Sequence, residues 1–273
     1  MSGGNLTAVI AGQGALAPAV LAALADQGES PVVAALQGFA PGPGITEFRL
    51  ERLVPFMDSL LDQGVDKVTF AGAVRRPHLD PELFDSRTAS LVPRILSAIQ
   101  SGDDAALRVL IAIFEEWGLK VIGTADVAPD LVPAEGHLVG GPNGHDREDA
   151  RRAVEIVRGL GALDLGQGAV VAQGLCLAVE TLPGTNAMLD FVAAHKALRP
   201  NPRGARGVLY KAPKPGQDRR IDLPAIGVET VNAAVRAGLA GIAWEAGGCV
   251  LLDRTETEAA AREGGLFLWS RGA

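Results

Sequence analysis

The sequence predicts an α/β protein made of two α/β domains with a cleft between them, the N-terminal domain being Rossmann-like with a mainly parallel sheet. First, a chain of 273 residues is longer than one hydrophobic core usually organises, and domains of about 100–150 residues are typical. Second, short apolar runs alternate with stretches of helical period in the first half, which predicts parallel strands joined by right-handed crossovers. Third, residues 126–144 are rich in Pro, Gly and Asp, a composition typical of a linker.

Local patterns predict the elements of the N-terminal domain, residues 1–131. Each predicted strand is a short apolar run, and three of the four runs end in glycine. The helices show apolar residues at helical spacing, and Gly118 is the stop signal of the last one. The predicted strands are 6–12, 31–36, 65–72 and 119–123, and the predicted helices are 15–28, 51–64, 89–100 and 103–117.

The C-terminal domain is predicted to span residues 135–273, with the boundary near residues 131–135. Residues 168–180 predict one or two buried strands, and residues 185–198 predict a helix with an N-cap at its first or second residue. Further helices are predicted at 146–160, 230–239 and 255–265, and further strands at 207–212, 241–247, 249–253 and 266–270. The second half is therefore also α/β.

Composition excludes several classes of protein. A formal charge of −7 argues against a general nucleic-acid-binding protein, whose phosphate contacts need a basic surface. The two cysteines, Cys176 and Cys249, lie in apolar runs and predict buried, reduced thiols instead of a disulfide framework. The sequence shows no signal peptide and no run of about 18 apolar residues, so we expect a cytoplasmic protein.

The motif GQGALA, residues 12–17, follows a predicted strand and opens a helix, in the Gly-x-Gly-x-x-Ala form of a dinucleotide-binding loop. Its glycines would let backbone N–H groups at the helix N-terminus approach a phosphate. A nicotinamide cofactor also needs an acidic residue at the end of the second strand, where this chain has Gln37. The residues leave three interpretations: another nucleotide or phosphate, favoured; a structural tight turn; and a nicotinamide cofactor.

Two further loops carry polar residues at the ends of predicted strands. In residues 71–79, Arg75 and Arg76 predict either a bidentate grip on a phosphate or two solvated arginines. In residues 180–189, a strand that ends at Glu180 leads through a Pro-Gly turn into a helix. That turn predicts either a simple helix cap or an anion site at the free N–H groups of the helix.

The segment KPGQDRRIDLP, residues 214–224, concentrates two carboxylates and three cations in an otherwise apolar half of the chain. After its Pro-Gly turn the chain is predicted to extend, so that a period of two places Asp218, Arg220 and Asp222 on one face. Two interpretations are open from the residues alone. One is a self-neutralised surface, and the other is a phosphate site with carboxylates for a divalent cation and a cation facing the phosphate.

Taken together, an ordered set of motifs resembles the LpxI family, the UDP-2,3-diacylglucosamine pyrophosphatases of lipid A biosynthesis. The motifs are GQGAL, GAVRRP, GDDAALR…FEEWG, AQGLCLAVE, PGTNAML, KPGQDRRIDLP and AGLAGIAWEAG, which span nearly the whole chain. The resemblance implies hydrolysis of UDP-2,3-diacylglucosamine to UMP and 2,3-diacylglucosamine 1-phosphate (lipid X), by attack of water on the phosphorus nearer the sugar. It also implies an active-site cleft between the domains, Mg²⁺ or a similar cation, a homodimer, and a transient, peripheral contact with the inner-membrane surface.

The resemblance further indicates which residues serve the reaction. Asp218, Arg220 and Asp222 are the candidate catalytic residues, and the two aspartates are also the candidate Mg²⁺ ligands. Lys211 and Lys214 are candidates to neutralise the pyrophosphate together with Arg220. The candidate substrate-binding residues are Gly12, Gly14, Ala15, Gly72, Ala73, Val74, Arg75, Gln173, Glu180, Gly184, Thr185, Asn186, Lys211, Lys214, Gln217 and Pro224.

The chain departs from the family pattern at three positions. Asn186 stands where an aspartate is expected, Pro183 where a glutamate is expected before glycine, and Ala225 where a hydroxyl residue is common. Asn186 keeps a carbonyl oxygen but lacks the charge that would help to bind Mg²⁺. Two other functions compete with the pyrophosphatase: a nicotinamide-dependent oxidoreductase, and a protein that binds a nucleotide or glycolipid without turnover.

Overall fold

A computed structural model describes residues 6–74, 79–100 and 102–272. The chain divides into two compact units. The N-terminal unit comprises Met1–Pro129 together with the short segment Asp218–Asp222, and the C-terminal unit comprises Asp130–Gln217 and Leu223–Ala273. The predicted class of two α/β domains is confirmed, and each unit has a sheet of its own.

The N-terminal unit is built on a five-stranded sheet in which every neighbouring pair is parallel, in the order β3-β2-β1-β4-β5. This is the Rossmann-like arrangement that the alternating pattern predicts. The strands are β1 (Leu6–Ala11), β2 (Val32–Leu36), β3 (Thr46–Phe48), β4 (Val65–Ala71) and β5 (Lys120–Val121). The helices are α1 (Leu16–Asp26), α2 (Leu53–Asp62), α3 (Ser86–Ala89), α4 (Val92–Gln100), α5 (Asp103–Glu116) and α6 (Thr124–Val127).

The core of this unit lies between the sheet and the apolar stripes of its helices. Helix α2 buries Leu53, Met57 and Leu60 at helical spacing, and Phe114 of α5 is 1% exposed. Each such side chain contributes roughly 1.5–3 kcal/mol by leaving water. Ile221 joins the same cluster from a distant part of the sequence and is 7% exposed.

The chain passes very close to itself where β1 and β4 end. A Cβ atom on Gly72 would lie 2.7 Å from the backbone of Gly12, and one on Gly12 would lie 2.7 Å from the carbonyl oxygen of Ala73. Gly72 also has a φ of +104°, which side-chain-bearing residues rarely adopt. Both glycines are therefore required by the fold itself.

We expect Gly72→Ala to lower the free energy of unfolding by about 3 kcal/mol or more, because a positive φ and a steric overlap both oppose the methyl group. Gly64→Ala is the matched control, since Gly64 has a φ of +82° but open space at its Cβ position. That control should lose only about 1–2 kcal/mol. Urea unfolding of both variants measures the difference, and equal losses would show that the close approach costs nothing.

The C-terminal unit has a six-stranded mixed sheet in the order β6-β13-β11-β9-β7-β8. The three strands β9, β11 and β13 run parallel, and β6, β7 and β8 join by antiparallel pairing. The strands of this unit are β6 (Gly136–Val139), β7 (Gly168–Ala172), β8 (Leu175–Val179), β9 (Val208–Lys211), β10 (Ala225–Ile226), β11 (Gly241–Glu245), β12 (Val250–Leu251) and β13 (Phe267–Arg271). The helices are α7 (Gly144–Ala162), α8 (Gly184–Ala194), α9 (Val228–Arg236) and α10 (Arg254–Glu263).

Helices cover both faces of this sheet, as the alternation of side chains along β9 and β11 shows. Leu209 and Trp244 belong to the cluster that contains residues of α8, α9 and α10. Tyr210 and Ala243, their chain neighbours, belong to the cluster that contains residues of α7. Strands β10 and β12 form a separate parallel pair outside the main sheet.

Several predictions from sequence are corrected here. Cys249 is buried as predicted, but Cys176 is exposed, because its strand β8 is at the end of the sheet and has a neighbour on one side. Strand β6 falls within the segment interpreted as a linker, and the three-residue β3 was not predicted.

No helix in the described ranges is both long and apolar enough to cross a membrane.

Candidate active site

In the N-terminal unit, the loops after β1 and β4 come together where the order of strands reverses. Gln13 and Ala73 exchange two backbone hydrogen bonds of 2.9 and 2.8 Å, and the amide of Gly12 donates to the carbonyl of Ala71 at 2.8 Å. The amides of Gly12 and Ala73, both predicted to bind substrate, are thus engaged within the protein. A ligand at this edge would instead meet the first turn of α1.

The first turn of α1 supplies backbone amides that the helix itself does not use. Helix α1 starts at Leu16, and its N-cap is Ala15, whose side chain cannot accept a hydrogen bond. The amide of Leu16, which is half-buried, therefore belongs to the positive end of the helix dipole and has no partner from the helix, an arrangement that suits a phosphate. Gly14 precedes this turn with a φ of +94°.

The loop after β4 continues to Val74, which is one of the predicted substrate-binding residues. Val74 is 46% exposed. Arg75 and Arg76, predicted to grip a phosphate, lie outside the described residues. Among the described residues, the candidate nucleotide site of the N-terminal unit therefore rests on Gly14, the turn of α1 and the loop of Gly72.

The segment Asp218–Asp222 is a turn, and the prediction of an extended strand with one charged face is wrong. The amide of Ile221 donates to the carbonyl of Asp218 at 3.3 Å, and Asp222 has a left-handed φ of 63°. Burial of Ile221 in the N-terminal core anchors the turn. The predicted alternation of side chains with a period of two fails because the chain bends where an extended strand was expected. Aspartate tolerates the left-handed conformation better than most residues, yet the conformation still costs on the order of 1 kcal/mol.

Arg220 is held in this turn by two carboxylates of the same unit. Its Nε donates to Asp218 Oδ1 at 3.0 Å, its Nη2 donates to Asp218 Oδ2 at 2.7 Å, and its Nη1 donates to Glu115 Oε1 at 2.5 Å. The hydrogen bonds from Arg220 hold the pKa of Asp218 below its ordinary value. The guanidinium is thereby fixed in one orientation, with both oxygens of Asp218 committed to it.

The two aspartates of this turn differ as ligands for a divalent cation. Both oxygens of Asp218 accept hydrogen bonds from Arg220, whereas Asp222 is exposed. The described part of the chain contains no cluster of three or more His, Cys, Asp or Glu side chains suited to a metal. Mg²⁺ usually keeps several waters and binds through one or two carboxylates plus substrate phosphates. A single exposed carboxylate fits that mode of binding.

In the C-terminal unit, three of the predicted residues form a buried polar chain at the carboxyl end of β9. Lys211 Nζ donates to Thr185 Oγ1 at 2.7 Å, and Thr185 Oγ1 donates to Glu180 Oε1 at 2.7 Å. The Lys211 and Glu180 side chains are 6% and 14% exposed, with 3.8 Å between Nζ and Oε2. Glu180 Oε2 is buried without a hydrogen-bond partner in the described structure. We name Glu180, Thr185 and Lys211 the lysine cluster.

Lys211 has a further contact that links the lysine cluster to Ala225, the residue that follows the segment 214–224. Its Nζ also donates to the carbonyl of Ala225 at 3.3 Å. Pro224, just before, is buried and its carbonyl accepts from the amide of Val250 at 2.9 Å. The ammonium of Lys211 is thus fixed by two acceptors within the unit.

The neighbouring turn of Lys214–Gln217 is ordered by its own side chains. Lys214 Nζ lies 2.5 Å from Asp164 Oδ1. Gln217 Oε1 accepts from the amide of Lys214 at 2.8 Å and from Gln167 Nε2 at 2.9 Å. Gln217 therefore shapes the turn, while Lys214 is partly neutralised by Asp164.

The helix that begins at Gly184 places the remaining predicted residues next to the lysine cluster. Gly184 has a φ of +85° at the start of α8, and Asn186, in the same first turn, is exposed. No side chain caps this helix, so its first amides are available to an anion, as one of the two interpretations of this loop proposed. Thr185 is not a cap because its hydroxyl serves the lysine cluster.

Gln173 does not join this group of residues. It lies in the two-residue turn between β7 and β8, where it and Gly174 have left-handed φ values of 56° and 78°. Its side chain bonds to the backbone of Asn201 and Ala205. Glu180 pairs with Gly168 at the opposite end of β7, five residues from Gln173, so Gln173 is roughly 16 Å away at about 3.3 Å per residue.

Comparison with known proteins identifies the family of the chain. The LpxI N-terminal domain model matches residues 6–131, and the LpxI C-terminal domain model matches residues 134–269. The chain belongs to the LpxI family. A curated LpxI relative, the UDP-2,3-diacylglucosamine pyrophosphatase LpxI of Caulobacter vibrioides, is 40% identical over 271 residues that cover 95% of each protein. The resemblance drawn from the motifs is confirmed.

Two residues of this LpxI chain have contacts that sequence reasoning did not assign. Glu115 pairs with Arg220 across 105 positions of sequence, and Asp164 pairs with Lys214 across 50. The sequence places Glu115 in the motif FEEWG, near the end of a predicted helix. Helical periodicity, however, does not indicate a partner so far along the chain. Asp164 gave a weak local signal, since an aspartate after a helix often adopts the left-handed conformation it has here, with φ 56°.

Proposed function

We propose that the chain hydrolyses the pyrophosphate bond of UDP-2,3-diacylglucosamine in lipid A biosynthesis, giving UMP and 2,3-diacylglucosamine 1-phosphate. The observation that carries this proposal is the 40% identity over 95% of both chains to a UDP-2,3-diacylglucosamine pyrophosphatase. The architecture supports it independently, since a nucleotide-binding type of sheet precedes a second unit with a buried lysine. The missing ribose-binding acid after β2, where Gln37 stands, speaks against a nicotinamide cofactor.

In this proposal the residues of the N-terminal unit bind the nucleotide and prepare the attacking water. The amide of Leu16 binds a phosphate at the N-terminus of α1. Asp222 accepts a hydrogen bond from the water that attacks the phosphorus nearer the sugar. Asp218 and Glu115 together orient Arg220 by accepting its hydrogen bonds. The fixed guanidinium then stabilises negative charge that develops on the phosphates.

The residues of the C-terminal unit supply a second positive charge. Lys211 is buried and held by Thr185, so its ammonium faces a phosphate oxygen in a site of low dielectric, where the attraction is stronger than in water. Glu180 compensates this charge while the site is empty of substrate. Lys214 adds a more exposed charge beside it.

A divalent cation such as Mg²⁺ is part of the proposal. Asp222 is the protein carboxylate best placed to bind it, and substrate phosphates would supply further oxygens. When bound, the cation would neutralise charge on the pyrophosphate. Asn186, whose side chain is exposed in the first turn of α8, can offer a carbonyl oxygen but no charge.

Membrane contact and dimerisation complete the proposal. A substrate with two acyl chains resides in a bilayer, so we propose that the protein binds the inner-membrane surface transiently. Leu182 is 100% exposed in the loop that joins Glu180 of the lysine cluster to α8, and Leu163 is 71% exposed, which supports a contact with lipid. We also propose a homodimer, because β8 offers an exposed strand at the edge of the sheet.

Hydrolysis of UDP-2,3-diacylglucosamine in ¹⁸O-labelled water tests the activity and its direction. With Mg²⁺ present, we expect UMP and diacylglucosamine 1-phosphate, with the label in the lipid phosphate. Mass spectrometry of both products gives the answer. Label in UMP would overturn the assigned point of attack, and binding of the lipid without turnover would support a non-catalytic protein instead.

A further inference from the structure

One cavity of the C-terminal unit lies away from the lysine cluster. It has a volume of about 850 Å³ and is lined by residues that precede strands β9, β11 and β13, among them Arg206, Ala240 and Leu266. Lys211 stands at the other end of β9. Five residues of extended chain separate it from Arg206, or about 16 Å. The cavity is therefore a separate place on the same sheet.

Three arginines give this cavity a positive lining in a protein of net charge −7. They are Arg203, Arg206 and Arg262. Arg206 Nη2 donates to the carbonyl of Gly265 at 2.9 Å, and Arg262 Nη2 donates to Glu258 at 2.7 Å. Each of these contacts uses one edge of its guanidinium and leaves further N–H groups for an anion.

The longest helix of the unit begins at the same cavity. Helix α7 has 19 residues, and its N-cap Asn143 and second residue His145 both line the cavity. Asn143 Oδ1 accepts from the amide of Asp146 at 3.0 Å, and Asp146 Oδ2 accepts from the amide of Asn143 at 3.0 Å. This capping box leaves the earlier amides of the helix to an outside acceptor.

Asp146 provides an independent sign of a ligand. It lines the cavity, is 4% exposed, and its Oδ1 is buried without a hydrogen-bond partner among the described residues. The capping box accounts for Oδ2 alone. A buried carboxylate oxygen with no donor is costly, so an O–H or N–H group from a ligand is the natural partner.

We propose that this cavity binds a sugar monophosphate. The phosphate contacts the three arginines and the first amides of α7, and a sugar hydroxyl donates to Asp146 Oδ1. In this assignment the phosphate group is held by the arginines and the helix amides, and a hydroxyl on the sugar supplies the donor for Asp146 Oδ1. This site goes beyond the proposed hydrolysis and does not depend on it.

Titration of ¹⁵N-labelled protein with glucose 1-phosphate, inorganic phosphate and glucose tests the site. We expect saturable amide shifts at Gly140, Gly144, His145 and Gly265. Glucose 1-phosphate should bind at least tenfold more tightly than inorganic phosphate, and glucose alone should cause no shifts. Shifts confined to residues 12–17 or to the lysine cluster would overturn the proposal, as would equal affinity for the two phosphates.

Variants separate this site from the proposed active site. Arg203→Gln combined with Arg206→Gln should weaken glucose 1-phosphate at least tenfold while hydrolysis of UDP-2,3-diacylglucosamine stays within twofold. Asp146→Asn should remove the preference over inorganic phosphate. Arg236→Gln, on α9 and paired with Asp190, is the matched control and should change nothing. Unchanged affinity for glucose 1-phosphate in the double variant would refute the site. Failure of the unaltered protein to hydrolyse UDP-2,3-diacylglucosamine would refute only the proposed function.

Discussion

Replacing Asp222 with asparagine is expected to lower kcat/KM for UDP-2,3-diacylglucosamine by roughly 10²–10³-fold, with little change in stability. The carboxylate charge is what the proposed water and Mg²⁺ require, and asparagine removes it. Asparagine also tolerates a left-handed backbone, so the φ of 63° at this position is preserved. Steady-state kinetics at saturating Mg²⁺, together with urea unfolding, measures both effects.

Asp253 offers a matched control for this substitution. It is also an exposed aspartate in the left-handed region, with a φ of 45°, and its side chain makes no capping hydrogen bond to α10. Asp253→Asn should leave kcat/KM within twofold. If Asp222→Asn kept near-normal hydrolysis, the assignment of Asp222 to the reaction would be wrong. A parallel loss in both variants would point to the backbone and not to the charge.

Lys211→Met is expected to lower the free energy of unfolding by about 3 kcal/mol and to abolish most hydrolysis. Removing one partner of a buried ion pair leaves the other charge without compensation, and here that charge is Glu180, at 14% side-chain exposure. Urea unfolding gives the loss of stability. Lys214→Met is the control, because its pair with Asp164 is more exposed and should cost less than about 1 kcal/mol.

A double variant distinguishes the structural role of Lys211 from its catalytic role. Lys211→Met with Glu180→Gln removes both charges, so much of the lost stability should return. Hydrolysis should not return with it, since no ammonium faces the phosphate. Recovery of activity along with stability would show that Lys211 only supports the fold.

The parallel sheet was predictable because its strands are buried on both faces and so are continuous apolar runs. Residues 6–12 predict β1 to within one residue, for this reason. Strands β3 and β6 escaped prediction because they are short, lie at sheet edges and carry polar residues such as Glu47 and His137. Cys176 was misplaced for the same reason, since an apolar run does not reveal which strand lies at the edge.

The candidate site was predictable in residue types but not in geometry. The charged composition of residues 214–224 marked the segment correctly as unusual. Its turn conformation depends on the burial of Ile221 and on Glu115, and both are contacts with residues far along the chain. Local periodicity contains no information on such contacts. Gln173 and Glu180 belong to the same motif, AQGLCLAVE, yet they lie at opposite ends of β7. Shared membership of a motif therefore does not place two residues side by side.

The placement of Asp218–Asp222 in the N-terminal unit governs how this chain can be divided. The backbone leaves that unit after Pro129 and returns to it for five residues before leaving again. A truncated chain ending at Pro129 would lack Ile221 from its core and Asp222 from its surface. Neither half of the polypeptide is thus a complete module, and exchange of halves between relatives must carry this short segment with the first half.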